Sequence, residues 1–200
     1  MDKNPLNWQG QELSKGKYAD YKFPVMVDGI GIRASLYVSG CPFNCLGCYN
    51  KKAQNFRWGH DYTPELETQI LKDLSNDYVD GITLVGGEPF LNTPILLPLV
   101  KRIRAELPDK TVWSWSGYTI EEILESGGDK RELLGLIDVL VDGRFEQDKF
   151  HPNLVFRGSW NQRIIDVKES LAQDKVVLWQ NGEYLEGEDH TPIKLFKTRE

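Results

Sequence analysis

A repeated alternation limits the fold of this 200-residue chain more than anything else in it: short β-branched runs that stop at glycine, separated by stretches with helical periodicity. The run ASLYVSG, from Ala34 to Gly40, reads as a buried strand. GITLVGG (81–87), TVWSWSG (111–117) and LIDVLVDG (136–143) repeat the pattern. Between them, TPELETQILKDL sets Leu66, Ile70, Leu71 and Leu74 on one helical face, with Thr63 and Pro64 as cap and first turn. LVKRIRAEL is a second helical stretch whose start Pro98 obscures, and Thr119 with Glu122 forms a capping box for TIEEILES. Strands joined through helices need right-handed crossovers, which make neighbouring strands parallel. The expected fold is therefore α/β, as an open layer or a partial, incomplete parallel barrel.

In such sheets the loops leaving the C-terminal ends of the strands gather at one edge, where ligands bind. That rule brings Cys41–Cys48, Gly86–Glu88, Ser116–Tyr118 and Asp142 to one site. After Asp166 the pattern changes: KVVLWQ, Asn181-Gly182 and EYLEG read as a small C-terminal β-hairpin extension. The expectation is one domain over 1–200, with a core at about 18–166 and an extension over 167–200. With 40% apolar residues, a chain of this length can bury about 70% of its unfolded surface.

Every cysteine lies in GCPFNCLGCYN, as Cys41, Cys45 and Cys48. Three thiols cannot all pair within the chain. No stretch approaches the roughly 18 apolar residues of a membrane span, and the polar start MDKNPLNWQGQELSKGKY lacks the apolar core of a secretory signal. A cytoplasmic, membrane-free protein with reduced thiols is expected, which leaves thiolate chemistry or metal binding. The 24 basic and 30 acidic residues give a net charge of −6 without a basic run, so nucleic acid is not an expected partner.

Thiolates spaced C-x3-C-x2-C can reach three corners of a cubic iron–sulfur cluster. With no fourth cysteine in the chain, one iron keeps an open position, the property that separates metal sites acting on substrate from structural ones. Two other readings stand beside this one. A structural zinc site could add His60, twelve residues past Cys48, and the thiols could be unligated core residues. Gly40, Pro42, Asn44 and Gly47 make the segment a tight loop, a poor place for inert buried thiols.

The cysteine spacing, with Tyr49 after the last thiol, resembles the signature of radical S-adenosylmethionine enzymes. LVGGEPF resembles that family's Gly-Gly-Glu motif, although a Gly-Gly-Glu-Pro turn suits many α/β proteins. VDGIGIRASLYVSGCPFNCLGCYNK, WSWSGYTIEEI, DVLVDGRFEQD and FRGSWNQRIIDV extend the likeness over about Pro24 to Asp166. They are similar to the glycyl-radical activases of anaerobic ribonucleoside-triphosphate reductase. The resemblance implies a partial barrel of the radical S-adenosylmethionine type, an oxidoreductase carrying a 4Fe–4S cluster and S-adenosylmethionine. It also implies the reductase as protein substrate and a flavodoxin- or ferredoxin-like electron donor. The activity implied is reductive cleavage of S-adenosylmethionine, with the 5′-deoxyadenosyl radical taking hydrogen from a reductase glycine. Alternatives are an activase of another glycyl-radical enzyme, such as pyruvate formate-lyase, and a non-catalytic zinc-binding module.

By resemblance Cys41, Cys45 and Cys48 hold the cluster, Gly47 and Tyr49 lie against the cofactor, and Gly86, Gly87 and Glu88 meet its methionine end. Asp142 is a candidate for a cofactor hydroxyl or ammonium, or a turn aspartate before Gly143. Ser116 and Tyr118 share that ambiguity, while Arg157, Asn161, Gln162 and Arg163 read as a docking or structural element. Trp113, Trp115 and Trp160 are expected in the core or an interface, and His60, His151 and His190 on exposed polar segments. The first seventeen or so residues and the hairpin after Asp166 fall outside the likeness and are expected to brace the open barrel or widen the reductase contact.

Overall fold

The computed structural model describes residues 2–182. A 3-10 turn at Pro5–Asn7 and a short helix α1 (Gly10–Leu13) precede the sheet. Strand β1 (Lys17–Val25) turns back into β2 (Arg33–Val38), the cysteine loop follows, and β3 (His60–Asp61) leads to helix α2 (Pro64–Leu74). The chain then runs through β4 (Gly81–Gly86), α3 (Thr93–Glu106), β5 (Thr111–Trp115), the successive helices α4 (Ile120–Ser126) and α5 (Gly128–Leu134), β6 (Val139–Asp142), β7 (Arg163–Asp166) and α6 (Val167–Gln173).

These strands form one seven-stranded open sheet in the order β3-β1-β2-β4-β5-β6-β7. It is a mixed α/β architecture compatible with an incomplete barrel. The central β2, β4, β5 and β6 are parallel, as helical connections require. The flanks correct the expectation of a wholly parallel sheet: β1 is antiparallel to β2 and to β3, and β7 to β6. The reason is connectivity. β1 reaches β2 through residues 26–32 without a helix, and the chain between β6 and β7 likewise carries no α-helix to return it to the far end.

One face of the sheet packs on helices. Alternate strand residues Leu36, Leu84, Val112, Leu140 and Ile165 share a continuous core with Ile70 and Leu74 of α2, Leu99 and Ile103 of α3, and Ile123 of α4. The Thr63 cap and the Thr119–Glu122 capping box form as the sequence predicts. Pro98 sits on the exposed side inside α3 instead of starting it. Burial of the opposite face outweighs the backbone bond that proline forfeits.

The other face carries Arg33, Thr83 and Trp113. Arg33 is 1% exposed. Its guanidinium donates to Thr83 Oγ1 at 2.7 Å, Thr111 Oγ1 at 2.9 Å and the Ile82 carbonyl at 2.7 Å, joining the starts of β2, β4 and β5. Burial lowers its pKa to about 10, with the fields of Asp80, Asp138 and Asp28 opposing. Trp113 packs edge-on against Phe156 and Trp179 with ring centroids 5.3 and 4.8 Å away, which closes the floor of this face.

That aromatic plug corrects the expectation for the first arm of the hairpin and its turn. Leu178 makes a single antiparallel bridge to Ile165, and Trp179–Gly182 forms a 3-10 turn in place of a strand arm and its two-residue turn. Docking of the Trp179 ring on Trp113 ends the extended run. The expected second arm, EYLEG, lies outside the described residues, as does His190. Among the described residues no helix is long and apolar enough to cross a membrane.

Candidate functional site

β2 delivers the cysteine loop at its C-terminal end. The Gly40 amide donates to the Ala53 carbonyl at 2.7 Å and the Cys41 amide to Gln54 at 3.0 Å, so both ends of the loop are stitched together. The Cys48 amide donates to the Cys45 carbonyl at 3.3 Å, which turns the chain between the last two thiols. All three thiols are free and partly buried.

A cavity of about 400 Å3 opens above the aromatic floor, lined by Cys41, Cys45, Cys48, Gly86, Gly87, Glu88 and Ser116. The loop after β4 comes this close because it has no side chains to hold it off. Gly86 has φ 101°, and its amide neighbour Gly87 donates to the Val38 carbonyl at 2.7 Å. A Cβ at Gly87 would lie 2.6 Å from the Gly40 carbonyl and 2.9 Å from that of Ala53. The resemblance assigns Gly86 and Gly87 to the methionine end of the cofactor, and the structure shows that Gly87 also packs on the backbone of the cysteine loop.

Glu88 is 1% exposed and joins two strand ends. Its carboxylate accepts from Ser116 Oγ at 2.9 Å, the Gly117 amide at 2.8 Å and the Phe90 amide at 3.1 Å. Burial pushes its pKa up to about 7, against the pull of those donors and of Lys130. Burial also raises the Cys41 thiol, helped by the field of Glu88, and raises Cys45, helped by Cys48. Thiolates in such surroundings need a cation beside them, which metal coordination supplies.

The donor set therefore suits a metal centre. Among the described residues no trio of cysteine, histidine or carboxylate side chains closes on a single-ion site, and the thiols instead line the cavity wall. His60, the candidate fourth zinc ligand, is exposed on β3 and its ring meets Tyr18 at a tilt, with centroids 5.5 Å apart. Three cysteines without a fourth would hold three irons of a cubic cluster and leave the fourth iron without a protein ligand.

Tyr49, 98% exposed, stands at the mouth. Gly47 does not line this cavity; it backs onto Gln147 and Phe145. Asp142 is also absent from the lining and is fully buried. Its carboxylate accepts from Arg163 Nε at 2.9 Å and the Ile120 amide at 2.8 Å, so it anchors α4 and pairs with β7. Tyr118 lies beneath the site and donates its hydroxyl to the Pro5 carbonyl at 2.9 Å.

Arg157 lines the cavity and donates to the Gln162 carbonyl at 2.9 Å. Gln162 bridges Gly158 and Gly143, and Asn161 donates to the Arg144 carbonyl at 2.7 Å, so both brace the loop before β7. Trp115 lines the cavity, Trp113 is core, and Trp160 meets the half-buried His151 at a tilt, with centroids 5.5 Å apart. Sequence reasoning missed Asp28, Tyr37, Phe43 and Phe156 in the lining. The i, i+2 alternation of ASLYVSG could have placed Tyr37 on this face. Asp28, which accepts from the Tyr37 hydroxyl at 2.7 Å, carries no such signal.

Residues 27–165 match a family model described as a 4Fe–4S single cluster domain. A protein of Pasteurella multocida named anaerobic ribonucleoside-triphosphate reductase-activating protein is 48% identical over 151 residues, 74% of this chain and 95% of that protein. Proteins of the same name from Haemophilus influenzae and Escherichia coli are 42% and 44% identical, covering 74% and 71% of this chain and 96% and 94% of their own lengths.

Proposed function

This chain belongs to the family of anaerobic ribonucleoside-triphosphate reductase-activating proteins, and from that premise we propose that it is a radical S-adenosylmethionine enzyme that makes the glycyl radical of that reductase. The observation that carries the reading is the single cavity shared by Cys41, Cys45, Cys48, Gly86, Gly87 and Glu88. When bound, a 4Fe–4S cluster with one open iron supplies the electron that splits the sulfonium of S-adenosylmethionine into methionine and a 5′-deoxyadenosyl radical, which takes a hydrogen atom from a glycine Cα.

The three cysteines hold the cluster. Gly86 and Gly87, having no side chains, let the methionine end of S-adenosylmethionine lie along the backbone. The Glu88 carboxylate accepts from its ammonium with the lone pair that Ser116, Gly117 and Phe90 leave over. Tyr49 closes over the cofactor from the mouth, and Gly47 acts behind the last ligand by letting the loop turn. Val85, Trp115 and Phe156 form an apolar wall that keeps water from the reacting atoms. Asp142 is left out of the contacts because it is fully buried off the cavity lining, where it pairs with Arg163 and the Ile120 amide.

The open edge of the sheet suits a substrate that is itself a protein loop, and a glycine can enter where a larger residue cannot. A flavodoxin- or ferredoxin-like protein is the expected electron donor. The test is anaerobic reconstitution: about four irons per chain, with methionine and 5′-deoxyadenosine released from S-adenosylmethionine on reduction. Stoichiometric zinc without iron would overturn the reading.

A further inference from the structure

The N-terminal segment, residues 2–16, lies outside the family match at 27–165, yet it reaches the cysteine loop. Trp8 meets Phe43 with ring centroids 5.3 Å apart, and Phe43 meets Tyr118 edge-on at 4.8 Å. Phe43 stands between Cys41 and Cys45, lines the cavity, and lies under the Arg144 guanidinium at 4.6 Å. Gly117 yields to it: a Cβ there would come within 2.5 Å of the Phe43 ring. The segment is fastened at several points. The Tyr118 hydroxyl holds the Pro5 carbonyl at 2.9 Å, Ser14 Oγ donates to Asn92 Oδ1 at 3.0 Å, and the Tyr62 amide holds the Gly16 carbonyl at 2.8 Å.

We propose that this segment is a clamp and Phe43 a positioning residue: Trp8 and Tyr118 grip the Phe43 ring and so fix the Cys41–Cys45 span that holds the cluster. The inference rests on the cluster reading above. A ligand loop gains from such a grip because each backbone residue left free to swing must otherwise be ordered when metal binds. Aromatic pairs supply that grip through area and ring geometry without touching the metal.

The experiment compares the full-length holoprotein with Trp8→Ala, Trp8→Phe and Ile103→Ala, the last a buried truncation in α3 far along the chain from the loop. Iron released to ferrozine and loss of the cluster's visible absorption are followed without oxygen, with the spectrum of the reduced cluster by electron paramagnetic resonance. Trp8→Ala is expected to shed iron about threefold to tenfold faster and to broaden the reduced-cluster signal. Trp8→Phe is expected to restore both, and Ile103→Ala to lower thermal stability with iron release unchanged. Release from Trp8→Ala at the wild-type rate, or equal acceleration by Ile103→Ala, would overturn the clamp. A wild-type protein that never takes up a cluster would instead overturn the proposed function.

Discussion

Glu88 and Ser116 meet at 2.9 Å across the ends of β4 and β5, and the same carboxylate holds the Gly117 amide at 2.8 Å. Two loops that both line the cavity are thereby set at a fixed separation by one buried acid.

That burial makes the fold pH-sensitive. The Glu88 pKa rises from 4.5 to about 7 on folding. A carboxyl raised in this way favours the folded state when protonated, so its contribution is present below pH 4.5 and is lost as pH rises through about 7. The expected loss is about 3 kcal/mol. Urea midpoints of the cluster-free protein across this window should fall for wild type and stay flatter for Glu88→Gln. Parallel curves would contradict it.

Gly87→Ala should disturb the site more than the core. The new methyl would press on the Gly40 amide and the Ala53 carbonyl, the pair that holds the cysteine loop closed, and on the Gly40 carbonyl, which accepts from the Glu88 amide. A stability loss of about 2 kcal/mol is expected, together with cluster loading below half of wild type in iron analysis.

Asp142 and Arg163 should act through stability alone. Asp142→Asn keeps an acceptor for Ile120 but leaves Arg163 short of its buried partner, and about 3 kcal/mol is expected from broken pairs of this kind. S-adenosylmethionine affinity, measured by calorimetry on the folded holoprotein, should change by less than about twofold. A tenfold loss would place Asp142 at the cofactor.

Cys45→Ala should lose cluster and S-adenosylmethionine cleavage together, since no fourth cysteine exists to replace it. Iron content and 5′-deoxyadenosine formation are the measurements.

The central strands were legible in sequence because β2, β4 and β6 are buried on both faces, and their ASLYV, ITLV and VLV segments are uncharged and mostly apolar. β1 was not, because KYADYKFPV is half-exposed and charged near the sheet edge and carries little apolar signal. The cysteine loop and the Gly-Gly-Glu turn were legible since the chemistry itself demands those residue types. The work of Asp142, Gln162 and Trp8 was not, because each acts through a partner distant in sequence: Arg163 on β7, Gly143 after β6 and Phe43 in the cysteine loop. Spacing along a chain does not record such pairings.

The most direct measurement uses reductase carrying glycine deuterated at Cα, incubated without oxygen with the reduced holoprotein and S-adenosylmethionine. The predicted result is one deuterium in the 5′-deoxyadenosine released and a glycyl signal in electron paramagnetic resonance on the reductase. Deuterium-free 5′-deoxyadenosine with no signal on the reductase would contradict the assignment.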